Sequence, residues 1–417
     1  MSIVSGYTET ACAQSGHQEV ADRLISLLSH KEYLKLESDL QKRSDTTSPE
    51  FALVTGVLAN VQNQIAKSIR LLTPLLSAPS AKLKPQEERL GLSTLADDYD
   101  KTFRYGDAAN TRTILLRRVG EFLSDGERDD IEDARDADDL LKLAPGETVG
   151  NFRPFVIPTE KNSAGMIEAP ITVGNDTEPW ILDTGANISL LIESRAQKLH
   201  LGLSKGTLPV AVFFGRTVPC HLAVIPVLRI GEAVVHNVPV LVMKDKDYYI
   251  PQIHLQLEAF LGYPVLSALG RISFYRDGHF GVDPPQETEP SYGSQMFMDG
   301  LTPVVAVKDH GKQRLFSLDT GAANTFLTAR YLTAHRAEFK GQKLSTVEQP
   351  SGKLPAYYAR RVTFSLGGLP ITLHNVPVLA KPQGNGEDYF YGNLGQDVLK
   401  QFRSYTLDFR SMHFVAR

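Results

Sequence analysis

From about Gln18 to Leu143, apolar residues recur every three or four positions, the period of helices with one buried face, and strand signals are sparse. Val20-Ala21, Leu24-Ile25 and Leu27-Leu28 predict one helix, and Tyr33-Leu34, Leu36 and Leu40 a second, around Ser29-His30-Lys31-Glu32. A second pair is expected over 51–59 and 64–76, and a third over 90–103 and 108–118, with Gly106-Asp107 at the turn. This third of the chain is read as helical hairpins in series. After Pro145-Gly146 the pattern changes to short runs rich in Val, Ile, Phe and Thr, cut by Gly, Pro and Asn, which predicts a mainly β remainder.

Small residues fall where paired helices must approach closely: Gly56 with Ser68, and Ala96 with Ala108, each pair twelve apart. With Leu95-Ala96-x-x-Tyr99 followed by Tyr105-Gly106-Asp107-Ala108, this spacing resembles tetratricopeptide repeats, although Gly56 and Ala96 are 40 residues apart and not the usual 34. Other helical-hairpin arrays fit as well. Between Ser124 and Asp139, nine of sixteen residues are acidic, which reads as a solvated helix or linker or, more sharply, as an acidic docking surface.

The β part repeats itself. Trp180-Ile181-Leu182-Asp183-Thr184-Gly185-Ala186 returns 136 residues later as Phe316-Ser317-Leu318-Asp319-Thr320-Gly321-Ala322. Asn237-Val238-Pro239-Val240-Leu241 returns as Asn375-Val376-Pro377-Val378-Leu379. Phe260-Leu261-Gly262-Tyr263 returns as Asn393-Leu394-Gly395-Gln396. Three anchors in one order, at offsets of 136, 138 and 133, indicate two homologous lobes joined by the proline-rich stretch Pro284 to Pro290. One Asp-Thr-Gly in a chain this long arises by chance about one time in ten. Two copies, each after an apolar strand and each followed by an apolar-Leu-Gly segment, are another matter.

These motifs resemble the aspartic peptidases of the pepsin and retropepsin superfamily: two apolar residues, Asp-Thr-Gly, a small fourth residue, and a later apolar-apolar-Gly that braces the loop. The resemblance covers roughly 152–417. Ala186 and Ala322 at the fourth position, with compact lobes, look more like the retropepsin branch, but here both halves lie on one chain. With the helical period of the first third, the expectation is a multidomain α plus mainly β protein: a tetratricopeptide-like helical-hairpin domain with its acidic linker over 1–145, followed, as the resemblance implies, by a bilobal acid-protease β-barrel fold with pseudo-twofold symmetry, its lobes over 150–288 and 296–417. The resemblance also implies an aspartic endopeptidase acting as a catalytic monomer on a polypeptide substrate, with no cofactor and no metal.

The chemistry accounts for the residues independently. Peptide hydrolysis by this route needs two carboxylates sharing one proton, so that one activates a water while the other donates to the scissile carbonyl. Asp183 and Asp319 are the candidates. Gly185 and Gly321 let the chain turn and bring backbone N–H groups to the carboxylates, and Thr184 and Thr320 can lock the loops across the lobe interface. Ala186 and Ala322 offer no hydroxyl to the carboxylates, so the pair is expected to ionise in a mildly acidic range. The resemblance further implies substrate-covering hairpins between each Asp loop and its apolar-Leu-Gly element, which places them at Phe213 and Phe214 in the first lobe and at Tyr357 and Tyr358 in the second, the candidate substrate-binding residues.

Composition removes alternatives. The 417 residues are 42% hydrophobic and 22% charged, suited to a sizeable core, and a net charge of −4 without a basic tract gives no reason to expect nucleic acid. The eleven histidines show no metal-binding spacing, and no Gly-x-Ser-x-Gly elbow or phosphate loop occurs. Cys220 and His221 are strand neighbours facing opposite ways, which favours a core cysteine over a nucleophile and base. No run approaches a membrane span, and Met1 to Thr10 is too short and polar for a signal-peptide core. A cytoplasmic location is the default, or a periplasmic or secreted one if the small-x-small stretch Ala11-Cys12-Ala13 marks a trimmed or mis-set terminus. The rival from another class is a scaffold: a helical domain holding a protein partner, and β lobes that bind peptides without turnover.

Overall fold

The computed structural model describes residues 19–42, 48–78, 83–212, 216–283, 293–349, 352–382 and 388–417. Contacts divide the chain into two units, Met1–Thr102 with Asp107–Arg135, and Phe103–Gly106 with Asp136–Arg417.

The first unit is helical. A helix over 19–29 is followed by Tyr33–Gln41, Pro49–Val61, Ile65–Ser77 and Pro85–Lys101, and the chain continues through Tyr105–Val119 and Asp125–Leu141. The acidic stretch thus forms a helix. Ser48 accepts the Phe51 N–H at 3.2 Å ahead of Pro49, which combines an N-cap with proline in the first turn. A Cβ on Gly56 would lie 2.6 Å from Leu72, so glycine there permits a close helix contact. Ser68, expected to serve the same purpose, does something else: its hydroxyl donates to the buried Asp98 at 2.6 Å, and Asn60 donates to the same carboxylate at 2.8 Å. Burial pushes the Asp98 carboxyl up to about 6, against those two bonds. No helix among the described residues is long and apolar enough to cross a membrane.

The second unit is mainly β. In its first sheet, Ala259–Leu261 runs parallel to Asp176–Leu182 and antiparallel to Ser189–Ile192, and Ser189–Ile192 runs parallel to Ala233–Met243. The same pairings recur later in the chain. Gly392–Leu394 is parallel to Lys312–Leu318 and antiparallel to Phe326–Leu327, which is parallel to Leu369–Leu379. The recurring Asn-Val-Pro also gains a reason: Asn237 and Asn375 have φ of 59° and 53°, a left-handed backbone that asparagine tolerates better than most residues.

Between the two regions, Arg271–Tyr275 pairs antiparallel with Ser404–Asp408, and the buried hydroxyls of Ser273 and Thr406 meet at 2.9 Å. His279–Asp283 and Phe155–Pro158 extend this ladder, so strands from the first half of the β segment join the sheet that contains the second. One apolar core runs from Trp180 through Phe274, Phe280 and Phe414 to Phe316. The expected linker at 284–290 lies outside the described residues.

Candidate active site

Each Asp-Thr-Gly follows a strand whose last residues, Ile181-Leu182 and Leu318, are buried. Beside each strand lies a short parallel brace that holds the loop by backbone bonds. Asp183 N–H donates to Leu261 O and Asp319 N–H to Leu394 O, both at 3.0 Å. The N–H groups of Gly262 and Gly395 donate to the hydroxyls of Ser189 and Thr325, each at 3.0 Å. Those of Tyr263 and Gln396 donate to Ala186 O and Ala322 O, each at 2.8 Å. A Cβ on Gly262 would lie 2.7 Å from Ile188 C, and one on Gly395 2.7 Å from Ala322 O, which is why the brace ends in glycine.

The two threonines are fully buried and interlock. Thr184 N–H donates to Thr320 Oγ1 at 3.0 Å and Thr320 N–H to Thr184 Oγ1 at 3.1 Å. The hydroxyls in turn donate to Leu318 O at 3.3 Å and Leu182 O at 2.8 Å. Four bonds therefore tie the loops across the lobe interface, each hydroxyl acting as donor and acceptor.

This lock sets the carboxylates against one another. A Cβ on Gly185 would sit 2.7 Å from the Asp319 carboxylate, and one on Gly321 2.4 Å from that of Asp183. Neither glycine has a left-handed φ. The chain does turn at Thr184-Gly185, but the smallness of the two glycines is required by the opposite aspartate and not by a left-handed backbone. Gly185 N–H donates to Asp183 Oδ1 at 2.8 Å, and the Gly321 and Ala322 N–H groups both donate to Asp319 Oδ1 at 2.9 Å. Both carboxyls are half-buried and held above the ordinary carboxylate range. Desolvation is the main cause for each, and for Asp183 the neighbouring Asp319 charge adds to it, while the backbone donors oppose the rise. Like charges this close cannot both ionise cheaply, so the pair is suited to sharing one proton.

Phe213 and Phe214 lie outside the described residues. Tyr357 and Tyr358 are not brought together: Tyr357 packs on the core with its ring 6.1 Å from Phe339, whereas Tyr358 is exposed and donates to Thr346 O at 3.0 Å. Strand alternation separates them. Cys220 is buried, and desolvation pushes its thiol up to about 11; His221 bonds Ser204 O through Nδ1 at 2.9 Å. Among the described residues, Asp309, His310 and His335 place potential ligand atoms within 4.8 Å of one another. Asp309 already binds both imidazoles, at 2.7 and 2.8 Å, and Arg314 at 2.7 Å, a cation that opposes a metal ion there.

Sequence reasoning missed Ser317 and Asn393. Ser317 Oγ donates to Asn393 Oδ1 at 2.8 Å, and Asn393 Nδ2 faces Asp319 Oδ2 at 3.5 Å. The signal was present in the repeat, where these two positions are apolar in the first copy and polar in the second.

Comparison with known proteins bears on this geometry. No curated protein sequence matches the chain. A solved retropepsin-like aspartic protease from Rickettsia conorii is 19% identical, covering 33% of this chain and 93% of its own, with a TM-score of 0.24, too low to carry weight. The family model described as aspartyl protease matches twice, over residues 169–265 and 305–398, each match enclosing one Asp-Thr-Gly and its brace. Over these two stretches of its β-rich part, the chain is similar to the aspartyl proteases.

Proposed function

We propose that this protein is an aspartic endopeptidase whose water is activated between Asp183 and Asp319. The observation that carries the reading is the mutual placement of the two carboxylates, each against the glycine of the opposite loop and both held above the ordinary carboxylate range. In the active form one carboxyl is ionised and the other protonated. The carboxylate takes a proton from water as the water oxygen bonds to the scissile carbonyl carbon, and the carboxyl gives its proton to the carbonyl oxygen. The resulting gem-diol then loses its amine: the nitrogen is protonated, the C–N bond breaks, and a carboxylic acid and an amine leave. Since one chain supplies both aspartates, a monomer suffices. The polypeptide lies extended over the dyad.

The test is incubation of the full chain with a mixed peptide library from pH 3 to 8, with and without a statine-type transition-state inhibitor, and mass spectrometry of new termini. Inhibitor-sensitive cleavage in acid supports the reading. Retained peptides without cleavage at any pH would favour the non-catalytic scaffold.

A further inference from the structure

The backbone surroundings of the two aspartates are nearly matched: N–H groups of Gly185 and Ala186 face one, those of Gly321 and Ala322 the other. The side chains beneath them are not. Under Asp183 the loop strand and brace place Ile181 opposite Phe260, both buried, and Tyr248 packs edge-on against Phe260 with ring centroids 5.2 Å apart. Under Asp319 the same register places Ser317 opposite Asn393. The Ser317 hydroxyl donates to the amide oxygen, which fixes the orientation of the amide and aims its NH2 at Asp319 Oδ2. A lone polar residue would be weak grounds for a role. Here two adjacent strands have each exchanged an apolar residue for a polar one, and the two bond each other.

Accepting the proteolytic reading of the dyad, we propose that Asn393, oriented by Ser317, is a positioning residue that places the negative charge of the pair on Asp319 and the shared proton on Asp183. An amide NH2 directed at one carboxylate stabilises its ionised form, and an apolar floor under the other favours its neutral form. At 3.5 Å the contact is a long one, so its effect is a bias between two microstates. Asp319 then serves as the base that takes the water proton, and Asp183 as the acid that protonates the carbonyl oxygen. Among the described residues, Tyr248 is a further titratable group close to the pair. Tyr248, whose phenol is raised by burial and by the Asp183 charge, stays neutral and adds no cation beside Asp183.

The experiment is a carboxyl titration by NMR of 13C-aspartate-labelled full chain, assigned with Asp183→Asn and Asp319→Asn and repeated for Asn393→Leu and Ser317→Ala, alongside kcat/KM against pH on one peptide. In the native protein Asp319 ionises first. Asn393→Leu raises that ionisation by about half a unit and moves the acidic limb up equally, and Ser317→Ala does the same by a smaller amount. If Asp183 ionises first, or if both variants leave the Asp319 titration in place, the proposal is overturned. Should Asn393→Leu fail to fold, the Ser317→Ala shift decides. The expected order and shifts in a chain that cleaves no peptide would support the charge placement and count against the proteolytic reading alone.

Discussion

Beneath the aspartate of the first lobe lie Ile181 and Phe260; beneath that of the second lie Ser317 and Asn393. The next layer out differs in a comparable way. In the first lobe the short helix Glu193–Lys198 is tied to the strand Asp176–Leu182 by permanent cations: Arg195 is 3.2 Å from Glu178, and Lys198 is 2.9 Å from both Asp176 and Glu178. In the second lobe the short helix Ala329–Ala334 is tied to the strand Thr302–Asp309 by a histidine. His335 Nε2 meets Asp309 at 2.8 Å, its Nδ1 meets Glu338 at 2.9 Å, and its ring stacks on Tyr331 at 4.2 Å. Yet the threonine lock, the glycine clearances and the brace bonds recur in both. What the shared chemistry demands at atomic spacing is kept twice; what only supports it differs, and at these two places the second lobe carries the polar and the titratable contact.

The shared layer should respond alike in both lobes. Asp183→Asn and Asp319→Asn are each expected to lower kcat/KM by at least about a hundredfold, the usual minimum for general acid–base catalysis, with the fold intact by circular dichroism. A large loss for one and a small one for the other would break the equivalence. Next in size, Gly262→Ala and Gly395→Ala should each cost about 1–3 kcal/mol of stability in denaturant unfolding, because the added methyl overlaps fixed backbone in both. Thr184→Val and Thr320→Val should follow at about 1–3 kcal/mol each, since either change leaves a buried N–H without its acceptor.

The smallest effect separates the lobes. Hydrogen bonding to Asp309, with Glu338 assisting, raises the His335 pKa above its ordinary value, although burial opposes it. Burial of Asp309 acts to raise its pKa, but the bonds from His335 and His310 outweigh this and hold it low. His335 therefore contributes stability that is fully present below about pH 6.5, the ordinary histidine value, and lost as pH rises through its raised folded value. Asp309 contributes stability above the ordinary aspartate range that is lost as pH falls through its depressed value. His335→Asn should lower the unfolding temperature by a few degrees more near pH 6 than near pH 9. Arg195→Met should lower it equally at both, because guanidinium does not titrate there. Equal pH dependence in the two variants would erase the distinction.

Much of the shared layer was legible in the sequence because close spacing demands unusual residues: two acids, two threonines and four glycines at matched intervals leave a pattern that period and composition do not produce. The helical region was legible from its apolar period. Supporting contacts were less so. Ser68 looks like a small packing residue until Asp98, 30 positions away, is found against it. Asn393 looks like an imperfection in an apolar brace until Ser317 is placed opposite it. His335 and Asp309 are 26 residues apart on separate elements, and nothing local pairs them. The ladder of Arg271–Tyr275 with Ser404–Asp408 is equally hidden, since alternation marks strands but not their partners.

The central claim is that two half-buried carboxyls from separate lobes share one catalytic proton. Its most direct test is kcat/KM for a single peptide from pH 2 to pH 9 with the native chain. The account predicts a bell with an ascending and a descending limb, peaking in a mildly acidic range of roughly pH 4 to 6, because desolvation holds both carboxyls above the ordinary range, the Asp319 charge adds to this for Asp183, and no side-chain hydroxyl at Ala186 or Ala322 pulls the pair down. A profile with one limb only, or a peak below pH 3, would contradict it.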